Sequence, residues 1–336
     1  MQNRHFVHPP TLFRAHAHTT EVAAKFFSAC NHGDVDTIKQ LLKTEQYARK
    51  LVELTNSEEP NAKKIAEKTI YTATLRGHYE ATKVLLEAGA NARVNTGYGT
   101  PIYAAVKSGS LDLVRLLIEY RADFQSGKGF SPLFVACIEG RLNILKYLVD
   151  LGANLYAFTN PPLVFTACTA GQLEVLKFLM DEMEFNIRHT MSRQDYQRTE
   201  GDGKDTLLWC ACKGNKLEVA SYLVKRGAPI TRTIYAKFPV IIKHILQQKI
   251  RPVGRSAGGE VEQHYHARFK EIGLAEIPWA VLADYSKRLT KLELRANTLT
   301  SIPDKIFQME ALKVLDVSNN ALAELCQEEV KWNCLQ

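Results

Sequence analysis

Two consecutive stretches decide the fold: IYAAVKSGSLDLVRLLIEY, residues 102–120, and SPLFVACIEGRLNILKYLVD, residues 131–150. Each begins with a short apolar segment that ends at a glycine, Gly109 or Gly140, and continues into an amphipathic segment with apolar residues at helical spacing. A glycine at such a point is typical of a left-handed helix C-cap. The pattern predicts an inner and an outer helix in each unit, and its recurrence predicts a stacked repeat protein.

The unit occurs six times, and three columns of the alignment define it. The first column is aromatic in every unit: Phe27, Tyr71, Tyr103, Phe134, Phe165 and Trp209. The second column, two residues later, is alanine: Ala29, Ala73, Ala105, Ala136, Ala167 and Ala211. The third holds Cys30, Thr74, Val106, Cys137, Cys168 and Cys212. Closely packed inner helices accept only small side chains, so we expect the aromatic row to be at least partly buried and the four cysteines to be buried, reduced and unpaired.

These columns resemble the ankyrin repeat over residues 22–230. The T-P-L-H-x-A signature of that family survives as TPIYAA from Thr100 and SPLFVA from Ser131. An aromatic residue stands where the signature has histidine, so we expect aromatic stacking to replace the usual histidine hydrogen bonds between repeats. Longer spacing between the alanines predicts insertions within residues 44–64 and 188–204, and residues 235–250 form a degenerate closing unit.

The tail follows a different period. LTKLELRANTLTSIP from Leu289 and LKVLDVSNNALAEL from Leu312 share the pattern L-x-x-L-x-L-x-x-N-x-L, with a period of 23 between Asn297 and Asn320. This pattern predicts a leucine-rich repeat with inward-pointing leucines and an asparagine that bonds buried backbone groups at the turn. Before these repeats lies an amphipathic lead-in, GLAEIPWAVLADYSKR from Gly273.

The order of ankyrin repeats, basic linker, lead-in and leucine-rich repeats resembles the N-terminal region of an ankyrin-bearing leucine-rich-repeat kinase of the ROCO family. The resemblance in sequence covers residues 274–325. It implies further leucine-rich repeats, a Ras-like GTPase domain, its dimerising partner domain and a kinase in a longer parent chain. The 336-residue chain stops before them, so we interpret it as a truncated product or fragment to which those activities do not transfer.

The predicted fold class is mostly α: an ankyrin-repeat α-solenoid followed by the start of a leucine-rich-repeat α/β solenoid. The predicted domains are a flexible leader at 1–21, six ankyrin repeats with a closing unit at 22–250, a linker at 251–266, and a lead-in with two leucine-rich repeats at 267–336. Without a secretion signal or a dense cysteine framework, the sequence favours a cytoplasmic protein.

No motif predicts an enzyme. The segment Gly201–Lys204 lacks the serine or threonine that a phosphate-binding loop places after its lysine, and there is no H-R-D or D-F-G set. Cys210 with Cys212 and His16 with His18 lack further ligands at metal-site spacing, so no metal and no cofactor are predicted.

Binding is therefore the predicted function, in a protein–protein interaction scaffold whose partner and oligomeric state the sequence leaves open. Hairpin tips between repeats supply the candidate partner-binding residues Asn95, Tyr98, Lys128, Phe130, Tyr156 and Phe158, with packing on adjacent hairpins as the equal alternative. The other hypothesis uses the acid-free segment 219–259 to bind anionic lipid at a membrane surface or nucleic acid. Its basic residues are Lys225, Arg226, Arg232, Lys237, Lys243, Lys249, Arg251 and Arg255. A solvated basic face is the favoured interpretation of that segment, since no aromatic platform accompanies it.

Overall fold

The structure is a computed structural model that describes residues 10–46, 48, 69–125, 131–155, 162–183, 206–253 and 263–323. The chain divides into two compact units, residues 1–159 and 160–336. Helix pairs form the described part of the first unit, whereas the second combines helix pairs with a four-stranded sheet. No helix among the described residues is long and apolar enough to cross a membrane.

Four helix pairs make up the described part of the first unit, each with an inner helix followed by an outer one. The pairs are Pro10–His32 with Val35–Thr44, 69–75 with Tyr79–Glu87, Pro101–Ser108 with Leu111–Glu119, and Pro132–Glu139 with Leu142–Asp150. Inner helix Pro101–Ser108 packs against both its own outer helix and the next inner helix. This two-way packing is the stacking that the sequence columns predict.

The second unit continues the helix pairs and adds a sheet. Its pairs are Leu163–Ala170 with Leu173–Glu182, Leu207–Lys213 with Leu217–Lys225, and Arg232–Lys237 with Pro239–Gln247. The strands are β1 (Ile250–Val253), β2 (His264–Arg268), β3 (Leu289–Glu293) and β4 (Val314–Asp316), in that spatial order, and the short helix Trp279–Leu282 lies between β2 and β3 in the chain. Strand β1 pairs antiparallel with β2, whereas β2, β3 and β4 run parallel.

Side-chain caps fix where the inner helices begin. Thr100 accepts a hydrogen bond from the backbone N–H of Tyr103 at 3.3 Å, and Ser131 accepts one from Phe134 at 3.2 Å. Both helices also have proline in their first turn, where its missing N–H costs nothing. Each ends at a glycine in the left-handed conformation, Gly109 with φ 82° and Gly140 with φ 69°, as the sequence predicts.

The buried columns match the alignment. All six alanines of the second column are buried, and none of the six aromatics of the first column is exposed, with Phe165 fully buried and the other five half-buried. The four column cysteines are buried and unpaired, which confirms that prediction. Burial raises the pKa of Cys30, Cys137 and Cys212 to about 12, so these thiols stay protonated at neutral pH.

Two hydrogen bonds between repeats come from the residue that follows a helix-ending glycine. The ring nitrogen Nε2 of His78 lies 3.1 Å from the carbonyl oxygen of Asn31 in the preceding repeat. Arg141 likewise donates from Nη2 to the carbonyl oxygen of Lys107 at 3.2 Å. Two positions that the alignment left unassigned therefore satisfy carbonyls at the ends of the inner helices.

Two predicted boundaries differ from the structure. The predicted flexible leader, 1–21, is helical from Pro10, because residues 11–32 contain neither proline nor glycine to interrupt a helix. The predicted linker, 251–266, contains most of β1 and the first residues of β2. Glycines within 254–259 gave this segment a loop-like composition, but its flanks are extended because they pair with each other, and such pairing is not visible in local sequence.

The sheet reveals a leucine-rich unit that the sequence interpretation missed. Strand β2 pairs with β3 so that Ala267 lies beside Leu292, and Phe269, Ile272 and Leu274 are buried like the leucines of the later repeats. The signal was present as A-x-F-x-x-I-x-L over residues 267–274, where Ile272 stands in the asparagine position. The lead-in is therefore itself a degenerate first repeat.

The asparagine of the next repeat has the predicted role. Asn297 is buried, and its Oδ1 accepts hydrogen bonds from the backbone N–H groups of Ile272 at 3.2 Å and Leu274 at 3.1 Å. Its Nδ2 donates to the carbonyl oxygens of Phe269 at 2.6 Å and Leu294 at 2.7 Å. One side chain thereby satisfies turn groups of two successive units, which is the reason the pattern requires an amide at this position.

Candidate functional site

The hairpin between the second and third repeats forms the best-defined surface feature of the first unit. Val94 anchors its base and is buried, whereas Tyr98 at the tip is 66% exposed. Three hydrogen bonds order the tip: Thr96 donates from its backbone N–H and its hydroxyl to the carbonyl oxygen of Gly99, and Tyr98 donates its N–H to the Thr96 hydroxyl. Tyr98 is consequently presented by an ordered turn.

Tyr71 of the aromatic column supports the tip from the second repeat. Its ring centroid lies 6.4 Å from that of Tyr98 at an interplanar angle of 34°, and its hydroxyl donates to the Tyr98 carbonyl oxygen at 3.3 Å. Burial raises the pKa of Tyr71, and the neighbouring Tyr103 raises it further, so the hydroxyl remains a donor at neutral pH. The contact links an exposed tip residue to the half-buried column.

The turn also lies close to the third repeat. Gly99 has φ 132°, and a β-carbon at that position would meet the Tyr103 ring at 2.8 Å, so glycine is required both by conformation and by space. The ammonium group of Lys107, one helical turn further on, lies 6.0 Å from the centroid of the same ring. Tyr71, Tyr98, Tyr103 and Lys107 thus form a continuous surface of half-buried and exposed side chains, which we name the tyrosine surface.

The other predicted binding residues have different outcomes. Asn95 is exposed, and its Oδ1 accepts the N–H of Gly97 at 3.2 Å, so its side chain shapes the turn. The remaining four predicted hairpin residues lie outside the described ranges: Lys128, Phe130, Tyr156 and Phe158.

Three basic residues of the predicted basic segment 219–259 form ion pairs with acidic residues from outside that segment. Arg226 lies 3.5 Å from Asp181, Arg232 lies 2.9 Å from Glu276, and Lys243 lies 3.0 Å from Asp284. Lys249 is half-buried, and burial lowers its pKa, with the charge of Lys225 lowering it further. Lys225, Lys237 and Arg251 are exposed, and Arg255 lies outside the described residues.

The described residues contain no group of three or more His, Cys, Asp or Glu side chains arranged to hold a metal ion. Cys210 is half-exposed, and Cys212 is buried two residues later. Cys168 donates its thiol hydrogen to the carbonyl oxygen of Leu207 at 3.1 Å, and burial raises its pKa. Cys168 and Cys212 are therefore core residues of two neighbouring inner helices.

Comparison with known families agrees with this architecture. Ankyrin repeats match residues 26–128, 70–159 and 104–191 in three overlapping copies, and a further single ankyrin repeat matches residues 204–233. A leucine-rich repeat matches residues 287–329. The chain is an ankyrin-repeat protein that continues into a leucine-rich repeat. The predicted fold class is confirmed, and both kinds of repeat are protein-binding modules.

Two individual proteins show more limited similarity to this ankyrin-repeat protein. It is 30% identical over 122 residues to mouse leucine-rich repeat serine/threonine-protein kinase 1, a match that spans 35% of this chain and 6% of the relative. The crystal structure of the human ASB11 ankyrin repeat domain superposes with a TM-score of 0.48 and 23% identity, covering 62% of this chain and 85% of that one. The order of repeats is consistent with the predicted kinase-like arrangement.

Proposed function

We propose that this ankyrin-repeat protein is an interaction scaffold whose protein partner docks on the tyrosine surface, with Tyr98 as the central contact. The observation that carries the proposal is the exposure of Tyr98, at 66%, on a turn held by its own hydrogen bonds and by Tyr71. Tyrosine offers a large contact area at low entropic cost, and it is enriched among the residues that dominate binding energy.

The ordered turn favours binding because little flexibility remains to be lost. Immobilising a mobile side chain at an interface costs about 0.5–1.5 kcal/mol. At this site the Tyr71 hydroxyl and the Thr96 hydroxyl already hold the backbone on both sides of Tyr98. Lys107 adds a positive charge at the border of the surface, where a polar rim is typical of protein interfaces.

A photo-crosslinking experiment tests this proposal. A photoreactive phenylalanine analogue is placed at position 98 or, as the matched control, at position 120, because Tyr120 is a 39% exposed tyrosine at the end of an outer helix. We expect partner proteins to be crosslinked from position 98 and not from position 120. We further expect Tyr71→Ala to reduce crosslinking at position 98 by about tenfold, since the loss of a supported anchor typically costs more than 1 kcal/mol. Equal crosslinking from both positions would refute the assignment.

We further propose that these repeats are the N-terminal, partner-binding part of a larger ROCO-type kinase. The order of the repeats and the similarity to the mouse kinase over 122 residues support this. Sequencing the transcript beyond the codon for Gln336 tests it. An open reading frame that continues into a Ras-like GTPase domain is expected, and a stop codon in the genomic exon with no downstream GTPase or kinase sequence would contradict it.

A further inference from the structure

The sheet of the second unit has a face that the proposed function does not use. Alternation along β3 directs Leu292 and Leu294 into the core, so Lys291, Glu293 and Arg295 lie on the opposite face. The strand register then places Arg251 and His266 side by side on that face, with Arg268 beside Glu293 and Glu293 beside Asp316. We name this the charged face. Its cations are Arg251, Arg268, Lys270, Lys291 and Arg295.

Glu293 forms the centre of the charged face. Its side chain is only 8% exposed, and it lies 2.9 Å from Lys291 Nζ, 3.3 Å from Arg268 Nε and 3.6 Å from Lys270 Nζ. Lys291 donates a hydrogen bond to this buried carboxylate, and Arg268 and Lys270 are attracted to it as ion pairs. The nitrogen through which Arg268 pairs with Glu293 is Nε.

The charged face carries more positive than negative charge. Among the described residues of the face, five cations face two carboxylates, Glu293 and Asp316, which leaves an excess of three positive charges. The strongest cause that lowers the pKa of Asp316 is its hydrogen bond from Ser318, and the charges of Lys270 and Arg295 lower this pKa further. Both cations therefore lie near Asp316. Burial lowers the pKa of His266, and Lys291 and Arg268 lower it further, so the imidazole is neutral at pH 7 and is not counted.

The arrangement of the cations selects among anionic ligands. The face spans four strands, which is about 14 Å at the usual strand spacing of about 4.8 Å, and the cations lie in β1, β2 and β3 or two residues after β2 and β3. An extended peptide presents alternate side chains on one side at about 7 Å intervals, so its carboxylates can meet several of these cations. No Phe, Tyr or Trp lies among the described residues of this face to stack a nucleic-acid base.

We propose that the charged face binds an extended acidic segment of a protein partner, with Arg268 and Lys270 contacting its carboxylates. The terminal nitrogens of Arg268 provide the two-pronged geometry that carboxylates accept. This second binding surface lies in residues 250–318, apart in sequence from the tyrosine surface. Its existence does not depend on whether the tyrosine surface binds a partner.

Fluorescence anisotropy with the full chain tests the proposal. The probe is a fluorescein-labelled ten-residue peptide of alternating Glu and Ser, and the comparison ligands are the matching Lys–Ser peptide, a ten-residue oligothymidylate and vesicles containing phosphatidylserine. We expect the acidic peptide to bind more tightly than the other three in 50 mM salt, and its binding to weaken by about tenfold in 200 mM salt, because several exposed ion pairs are screened. Preference for the oligonucleotide or the vesicles would overturn the choice of partner, and no peptide binding in 50 mM salt would overturn the site.

Matched variants locate the binding. We expect the double variant Arg268→Gln/Lys270→Gln to lose about tenfold in affinity, whereas Lys225→Gln/Lys237→Gln, with the same loss of net charge at exposed positions outside the face, changes it less than about twofold. Equal losses in both would show that only net charge matters and would refute the proposal.

A second pair, Arg251→Gln/Arg295→Gln, leaves all three Glu293 ion pairs intact, and we expect a loss of about fivefold in affinity. Should the first variant fail to fold, this pair decides the question. Tyr98→Ala should bind the peptide like the parent, which separates this surface from the tyrosine surface.

Discussion

Replacing Asn297 by alanine should destabilise the leucine-rich part of the chain more than any exposed substitution in it. The side-chain amide makes four hydrogen bonds of 2.6–3.2 Å to backbone groups of two successive units, and the residue is 7% exposed. Alanine removes all four bonds. It also leaves a small cavity at a turn where the backbone cannot readily turn its N–H groups toward water.

The loss of stability in Asn297→Ala depends on which backbone groups remain without a hydrogen-bond partner. The carbonyl oxygen of Leu294 retains the Nδ2 of Asn320 at 3.0 Å, so one of the four groups remains satisfied. The N–H groups of Ile272 and Leu274 and the carbonyl oxygen of Phe269 lose the amide. An unsatisfied buried group costs about 1–3 kcal/mol, and because the turn relaxes and admits some water, we expect about 3 kcal/mol in total.

Two matched variants calibrate this value. Asn320 holds the same position in the next repeat and makes similar bonds, to Leu299 and Val317 among others, but it is only half-buried. Its partners can reach water, so Asn320→Ala should cost about 1 kcal/mol. Ser301→Ala, at an exposed position, should change the stability by less than about 0.5 kcal/mol.

The assay must report on this region alone, because the two compact units need not unfold together. Hydrogen exchange measured by mass spectrometry on peptides within residues 263–323 provides a local opening free energy as urea is added. We expect the order Asn297→Ala, Asn320→Ala, Ser301→Ala, from most to least destabilised. If Asn297→Ala were no more destabilised than Asn320→Ala, the argument from buried backbone groups would be wrong.

Three further predictions concern acid stability, thiol reactivity and folding of the tail. Although burial raises the pKa of Glu293, the hydrogen bond from Lys291 and the charges of Lys270, Lys291 and Arg268 hold it below its ordinary value of 4.5. Its ion pairs therefore stabilise the fold above pH 4.5 and are lost on acidification. In an acid titration, the variant Glu293→Gln should have a lower free energy of unfolding than the parent at pH 7. Below pH 4.5 that free energy should decline less steeply in the variant than in the parent. Under native conditions iodoacetamide should modify Cys210 well before Cys137, whose pKa is about 12, and mass spectrometry that found equal rates would contradict the burial argument. A fragment beginning at Glu260 lacks β1 and should show no cooperative thermal transition by circular dichroism, and a cooperative monomeric transition would disprove this.

The sequence by itself determined the repeat architecture, because each signal for it is local. Alanines such as Ala105 and Ala136 mark where inner helices touch, and Gly109 and Gly140 mark where those helices end. The role of Asn297 followed in the same way, since a side-chain amide offers two N–H donors and a carbonyl acceptor at a buried turn. Exposure of Tyr98 was likewise predictable from its place in a glycine-flanked turn between two helices.

Only the tertiary structure decided what depends on pairing between distant segments. Strand β1 exists because residues 250–253 pair with residues 264–267 across a stretch whose glycines favour a loop. The first leucine-rich unit was not recognised in the sequence because Ile272 replaces the diagnostic asparagine. In the structure, the side-chain amide of Asn297 from the following unit accepts a hydrogen bond from the Ile272 N–H. The charged face was not recognised either, because it depends on pairing between distant segments. Arg268 and Glu293 are 25 positions apart in the chain, and parallel strand register, which no local pattern encodes, places them 3.3 Å apart.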